Sequence, residues 1–411
     1  MLKRLSIIGH PLRLPDVMRG TSSFFKKRSQ EYFQQQLSGI LGLKYVFCLS
    51  SGIAAFYVIL ETLKKLSARK EVIVPCYTAP SLVVAIQKAG LTPVVCDIRL
   101  TDFNADGDEV LKKINQNTLC ILGVHMFGIP WVDIVDLRKK IPKDIFIIED
   151  CAQAFGSRIQ ERAVGSFGDI SFYSFNRGKN LPTYDGGCIV TNSKAIAESV
   201  AEAIAGIPSL GAFAGVLLAL KVWALYFSFK PSFYSIFYPL IACFKDTSVP
   251  DDFRIVRYTS FQAGVGSSLL VHAQETFTAR CENGKRLISL LHGIPEIILP
   301  KIPENVVAVF NRFPLVFKEA RHRDRVMERL HRAGIESSKL YLKPLHHIFD
   351  GSTTLTINPE RSRRIDLGYK KDDFPNAVYF AQRLLTLPIH PLVEQEDIEV
   401  MARIIKEVVS R

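Results

Sequence analysis

Glu149-Asp150-Cys151-Ala152-Gln153-Ala154-Phe155-Gly156, followed by Ser174-Phe175-Asn176-Arg177-Gly178-Lys179-Asn180, is the stretch whose reading decides the fold of this chain. An apolar run over 145–148 closes in two acids, so a buried strand should carry Asp150 at its carboxyl end, where α/β sheets present their ligands. A second apolar strand over 170–173 delivers Ser174 and then Lys179, flanked by Gly178 and Asn180. A carboxylate, a polar loop of phosphate size and a single lysine at strand ends are what pyridoxal phosphate requires. The carboxylate keeps the pyridine nitrogen protonated, the loop anchors the phosphate and the lysine holds the aldehyde as a Schiff base. Taken alone, Lys179 would be a solvated loop residue and Asp150 a helix cap for 151–155. Together with Gln153 and Ser174 they read as a cofactor site.

Each residue then has an expected role. Asp150 pairs with the ring nitrogen, because a buried carboxylate needs a cationic partner. Gln153 donates to the ring's phenolic oxygen. Lys179, displaced by an amino substrate, becomes a free amine able to move a proton between the donor's α-carbon and the cofactor. Ser174 supplies a phosphate hydroxyl, with Ser51 and Gly52 adding backbone N–H groups at a helix start. Tyr77, at another strand end, is either the group stacked on the ring or a packing residue. Asp185-Gly186-Gly187 brings backbone close to the cofactor loop, and Asp185 is a candidate substrate contact.

Outward from this stretch, strands and helices alternate. Helices are expected over 51–65, 81–89 and 134–140, and strands over 71–74, 92–96, 119–124, 146–148, 171–175 and 188–191. Apolar strands separated by helices imply a mostly parallel sheet covered on both faces. After about residue 300 the pattern becomes α+β, with strands over 306–310 and 312–317 and helices over 323–333 and 396–409. We therefore expect an α/β fold with a large domain over 1–250. A dimer-contact segment and a smaller C-terminal α+β domain would occupy 251–411.

Composition narrows the class. Eight cysteines lie scattered without a C-x-x-C pair, which suits small core residues in a reducing compartment. The N-terminus has no secretory pattern, so the expected location is cytoplasmic. A net charge of +12 could indicate nucleic acid, but no basic run with interleaved aromatics accompanies it. The basic surface instead suits anionic substrates or an anionic membrane face. His346-His347 could suggest metal, but adjacent residues on an extended strand face opposite ways, and no acid or cysteine cluster joins them. No metal is expected.

The same residues resemble the DegT/DnrJ/EryC1/StrS family of pyridoxal-phosphate sugar aminotransferases. Its pattern is matched by Glu149-Asp150-Cys151-Ala152-Gln153 and by Ser174-Phe175-Asn176-Arg177-Gly178-Lys179-Asn180-Leu181. It is matched too by Ser50-Ser51-Gly52, by Val124-His125-Met126-Phe127-Gly128 and by Leu387-Pro388-Ile389-His390-Pro391. The resemblance implies an aspartate-aminotransferase-like (fold type I) enzyme that passes an amino group from an amino acid, glutamate being expected, to a nucleotide-linked keto-sugar. It implies a homodimer in which Arg257 reaches the partner's cofactor phosphate, and it puts His346 near the substrate mouth. Relatives with histidine in place of Lys179 perform dehydration, so Lys179 favours transamination. Ala79, Ile53 and Ile255 depart from the pattern, and they keep open a non-catalytic or regulatory homologue. A pyridoxal-phosphate-dependent dehydratase is the other alternative.

One stretch lies outside the pattern. Residues 204–244 hold an apolar run over 210–229 with Lys221 as its single charge, then Pro231, then a second run over 233–244. The first is long enough to span a bilayer, the second too short to return. The expectation is a peripheral element on the inner membrane face, with Trp223, Tyr226, Phe227, Phe233, Tyr234, Phe237 and Tyr238 as interfacial aromatics and Lys221, Lys230 and Lys245 near headgroups. The competing expectation is an enlarged dimer interface or a cover over the substrate mouth.

Overall fold

The computed structural model describes residues 4–9, 12–26, 28–228, 253–358 and 361–410. The chain opens with α1 (Leu14–Ser23) and α2 (Ser29–Leu41), where the sequence shows only a polar stretch. Val17, Phe33, Leu37 and Leu41 are buried while Leu14, Met18 and Tyr32 are exposed, so each helix packs on a narrow stripe. There follow β1 (Tyr45–Leu49), α3 (Gly52–Leu66), β2 (Glu71–Pro75), α4 (Pro80–Lys88), β3 (Thr92–Cys96), α5 (Gly107–Lys113), β4 (Thr118–Val124), α6 (Ile134–Lys140) and β5 (Phe146–Asp150). Two short strands, β6 (Arg158–Ile159) and β7 (Arg162–Ala163), precede β8 (Ile170–Ser174), β9 (Gly187–Thr191), α7 (Lys194–Ala205) and α8 (Ala212–Ser228).

All of these strands except β6 and β7 build a seven-stranded sheet in the order β1-β9-β8-β5-β4-β2-β3. Five neighbouring strands from β8 to β3 pair in parallel, and β9 runs against both β8 and β1. All seven residues of β4 are buried, as a strand covered on both faces should be. Parallel strands present their carboxyl ends on one edge, so Pro75, Val124, Asp150 and Ser174 open onto the same crevice. The fold is α/β, as the alternation of elements predicts.

The second half starts with two long helices, α9 (Ser260–Val271) and α10 (Ala273–Leu291). Although α9 lies beyond the boundary expected at residue 251, it packs on α1 and α2 of the large domain. Asp16 of α1 is fully buried and accepts hydrogen bonds from Ser268 Oγ (2.7 Å) and His272 Nε2 (3.1 Å). The C-terminal part comprises β10 (Ile297–Ile298), β11 (Val306–Val307), β12 (Phe313–Phe317), α11 (Ala320–Arg332), α12 (Leu345–Ile348), the hairpin β13 (Asp350–Asn358) and β14 (Arg361–Asp366), α13 (Pro375–Arg383), β15 (Leu384–Leu387) and α14 (Gln395–Val409). The strand expected over 306–310 shrinks to β11, because it pairs with the short β6 instead of joining the β10-β12-β15 sheet.

Residues 4–9 run back across this C-terminal part. Leu5 pairs with Gly334 and Glu336 through backbone bonds, and Ser6 O accepts from His390 Nε2 at 2.8 Å. His390 is 2% exposed, its Nδ1 has no partner among the described residues, and burial lowers its pKa from 6.5 to about 4. As pH falls below 6.5 the unfolded chain takes up this proton first, so His390 contributes stability that is whole above pH 6.5 and lost progressively towards pH 4. Urea denaturation should show wild type losing about 2–3 kcal/mol more than His390→Gln between pH 7 and 4.5. Equal losses in both proteins would refute the assignment.

Among the described residues no helix is long and apolar enough to cross a membrane. α8 lies against α1, with Val222 buried and Trp223 Nε1 donating to Thr21 Oγ1 at 3.3 Å. Its outer side exposes Phe213 (83%) and Leu220 (60%). Lys230, Phe233, Tyr234, Phe237, Tyr238 and Lys245, expected at a membrane interface, lie outside the described residues.

Candidate active site

Asp150 ends β5 and is 6% exposed. Its Oδ1 accepts the N–H of Ala152 at 2.9 Å, and Oδ2 has no hydrogen-bond partner among the described residues. Burial raises the carboxyl's pKa, while the Ala152 N–H and then Lys179 pull it back. Lys179 sits half-buried in the loop after β8. Desolvation lowers its pKa from 10.5 to about 8, with Asp150 opposing that shift and Arg312 adding to it. The two residues that decide the sequence reading therefore face one crevice and sense each other's charge. An acylating reagent followed by peptide mass spectrometry should label Lys179 half-maximally near pH 8, against roughly 10.4 for exposed lysines. A midpoint near 10 would contradict the desolvated placement.

The neighbouring Glu149 is fully buried and serves the backbone. Its carboxylate accepts N–H groups from Gly165 (2.6 Å), Phe167 (2.7 Å) and Gly168 (2.6 Å), and Oε2 also meets His125 Nε2 at 3.0 Å. His125 Nδ1 accepts from Trp131 N at 2.9 Å, so Nε2 carries the proton and the ring is neutral. Among the described residues, His125, Glu149 and Cys151 form a group of metal-ligand type. Those bonds already occupy the His and Glu atoms, and burial holds the Cys151 thiol well above its usual pKa.

Gln153 lies over the 3₁₀ turn Met126–Gly128, whose Phe127 has φ 59°. Phe127 N–H donates to Gln153 Oε1 at 3.1 Å, which turns Nε2 towards Met126 Sδ, a weak acceptor at 3.4 Å. The amide N–H thus stays available to a ligand.

At the other side of the crevice, Ser51 caps α3 by accepting Ala54 N–H on its hydroxyl at 3.1 Å. The first-turn N–H groups of Gly52 and Ile53 lie at the positive end of the helix. A Cβ on Gly52 would stand 2.8 Å from Ser174 Cβ, and one on Gly187 would stand 2.6 Å from Gly52 N. Only glycines let this helix start, the Ser174 hydroxyl and the strand close into one anion-sized cradle. Cradle, open carboxylate oxygen and desolvated amine together fit pyridoxal phosphate.

Several expected contacts lie elsewhere. Tyr77 is 1% exposed, its ring set against Phe380 (4.7 Å) and Tyr341 (5.6 Å), and its hydroxyl donates to Tyr341 O at 3.1 Å. Those contacts are of the packing kind, one of the two roles expected of Tyr77. His346 is 3% exposed, with Nδ1 3.1 Å from Cys76 Sγ and its ring against Phe374, so it faces the interior and not a substrate mouth. The His346-His347 pair lies in the helical turn α12 with ring centroids 4.2 Å apart, because Pro344 starts a helix where an extended strand was expected. Arg257 donates to the carbonyls of Ala205 (2.7 Å) and Ile207 (3.0 Å) of its own chain. Asp185 is half-buried, with Oδ1 accepting Gly186 N–H at 2.9 Å and burial raising its pKa. That glycine pairs with Ser51 beside the cradle.

The structure also shows contacts that the sequence did not point to. Asn311 Nδ2 donates to Gly178 O at 2.6 Å, and Asn180 Nδ2 donates to Phe155 O and Val309 O at 3.1 Å. These bonds hold the Lys179 loop from both sides. Arg312 and Tyr341 complete the wall, the first acting on Lys179 and the second coupled to Asp150. A lone arginine before an apolar strand carries no signal in sequence.

The family model of the DegT/DnrJ/EryC1/StrS aminotransferase family matches residues 15–206 and 254–406, leaving the segment with α8 outside. The chain is 38% identical over 156 residues to GDP-perosamine synthase of Escherichia coli O157:H7, covering 38% of this chain and 42% of that protein. It is 26% identical over 392 residues to UDP-N-acetyl-3-dehydro-alpha-D-glucosamine 3-aminotransferase of Acidithiobacillus ferrooxidans, covering 94% and 90%. The S. venezuelae DesV crystal structure shares the fold at TM-score 0.76 and 24% identity, covering 97% of this chain and 95% of that one.

Proposed function

The chain belongs to the DegT/DnrJ/EryC1/StrS aminotransferase family, and from that premise we propose that it transfers an amino group from glutamate to a nucleotide-linked keto-sugar, with pyridoxal phosphate as cofactor. Two relatives named for a GDP- and a UDP-linked sugar support that substrate class. The observation that carries the reading is the placement of Asp150 at the end of β5 and of Lys179 in the loop after β8, on the edge that also holds the α3 cradle.

When bound, pyridoxal phosphate supplies an electron-accepting ring and an aldehyde that takes up an amine. Asp150 would hold the proton on its ring nitrogen through Oδ2, while the Ala152 N–H steadies Oδ1. Ser174 and the first turn of α3 would hold the phosphate, and Gln153 Nε2 would donate to the phenolic oxygen. Lys179 Nζ would carry a proton to and from the donor's α-carbon. Its lowered pKa leaves a useful fraction of neutral amine near pH 8, where a lysine of ordinary pKa would be almost wholly protonated. A general base needs that fraction.

The test is incubation of the purified protein with pyridoxal phosphate, glutamate and a panel of keto-sugar nucleotides, followed by mass spectrometry. Gain of an amine in one acceptor with release of 2-oxoglutarate supports the reading. Failure to take up the cofactor, or uptake without conversion of any acceptor, would count against it.

A further inference from the structure

We propose that Arg312 is the anion anchor of the substrate site, holding the α-carboxylate of the amino-acid donor beside Lys179. The proposal rests on the aminotransferase reading above and adds a residue to it.

Arg312 is mounted rigidly. Its neighbour Asn311 is tied on three sides: Asn311 N–H donates to Phe127 O (2.9 Å), Asn311 Nδ2 donates to Gly178 O (2.6 Å), and Asn311 O accepts from Arg280 Nη1 (2.9 Å). The same backbone position is thereby pinned to the Gln153 turn and to the loop that carries Lys179. The Arg312 side chain is half-buried, and Nη2 comes within 3.9 Å of where a Cβ on Gly178 would stand. It makes no hydrogen bond or ion pair among the described residues. Glu336, the acid that acts on it from a distance, accepts hydrogen bonds from Ser6 Oγ and Ile7 N.

Charge balance then points to a ligand. Arg280 is 2% exposed and makes no ion pair among the described residues; the charge of Arg312 acts on it and on Lys179 alike, and Asp150 is the carboxylate that opposes the effect at Lys179. A half-buried guanidinium without a counter-charge is unfavourable until an anion arrives, and its planar fork matches a carboxylate in two parallel bonds. The phosphate of the cofactor already has its cradle at α3. An anion that meets Arg312 while its reacting carbon stands at Lys179 must be attached to that carbon or nearly so. In an α-amino acid the carboxylate is bonded to the amine-bearing carbon. In a nucleotide-linked sugar the diphosphate is several bonds from a ring ketone.

The test is isothermal titration calorimetry on protein loaded with pyridoxal phosphate, using 2-oxoglutarate and, separately, a nucleoside diphosphate. Arg312→Met should weaken 2-oxoglutarate about 30-fold or more, the effect of losing two charge-assisted bonds, and leave the nucleoside diphosphate unchanged. Arg312→Lys keeps the charge but not the fork and should weaken 2-oxoglutarate by an intermediate amount, which keeps the test decisive if the methionine variant does not fold. Unchanged 2-oxoglutarate binding in either variant overturns the proposal. So does a loss confined to the nucleoside diphosphate, which would assign Arg312 to the acceptor. Wild-type protein that fails to take up pyridoxal phosphate, seen by absorbance before any titration, would instead sink the aminotransferase reading.

Discussion

Lys179→Ala should reduce multiple-turnover amino transfer by about 10⁴-fold or more while leaving the fold intact. The amine is half-buried, and it makes no ion pair among the described residues, so its removal orphans no bonded partner. What disappears is the group that can both hold the cofactor covalently and move a proton at the reacting carbon. The loop itself is held by Asn311 and Asn180 and should keep its shape. Steady-state turnover together with a thermal melt checks both halves of the expectation. Near wild-type turnover by the alanine variant would sink the assignment of Lys179.

Asp150→Asn should lower turnover by about 10²–10³-fold, with the cofactor still bound. An amide offers N–H groups where the carboxylate accepts one, so the residue can no longer keep a pyridine nitrogen protonated. The same change removes the charge that favours the protonated form of Lys179, so its labelling midpoint should fall below the wild-type value of about 8. The two readouts are independent, one kinetic and one by mass spectrometry. Full activity in the asparagine variant would return Asp150 to the role of a turn-capping residue on Ala152.

The gathering of Asp150, Ser51, Gly52 and Ser174 at one edge of the sheet was legible because its signals are local. An apolar run ending in Asp150 and a serine-glycine helix start at Ser51-Gly52 are each complete within a few residues, and the register β5–β8 sets Asp150 against Phe172 with Ser174 following on the same edge. Other expected contacts were less legible. His346 in α12 and Tyr77 just past β2 carry the right residue types, yet packing against Cys76, Phe374 and Phe380 turns both inward. The helices α1 and α2 escaped notice because their apolar stripes are thin and gain their burial from α9, more than two hundred residues later.

By itself, then, the sequence determined the mostly parallel α/β sheet, the carboxyl edge on which Asp150 and Ser174 lie, and the nearness of Asp150 and Lys179, since strand and helix periodicity and short turns are written in neighbouring residues. Only the tertiary structure decided that Asn311 clamps Gly178 across 133 positions, that Arg280 fixes the backbone bearing Arg312, and that Arg312 comes close to the Lys179 loop with no ion pair among the described residues. Such contacts depend on how the C-terminal part docks against the sheet, and that geometry is set by the packing of whole faces, which no local pattern encodes.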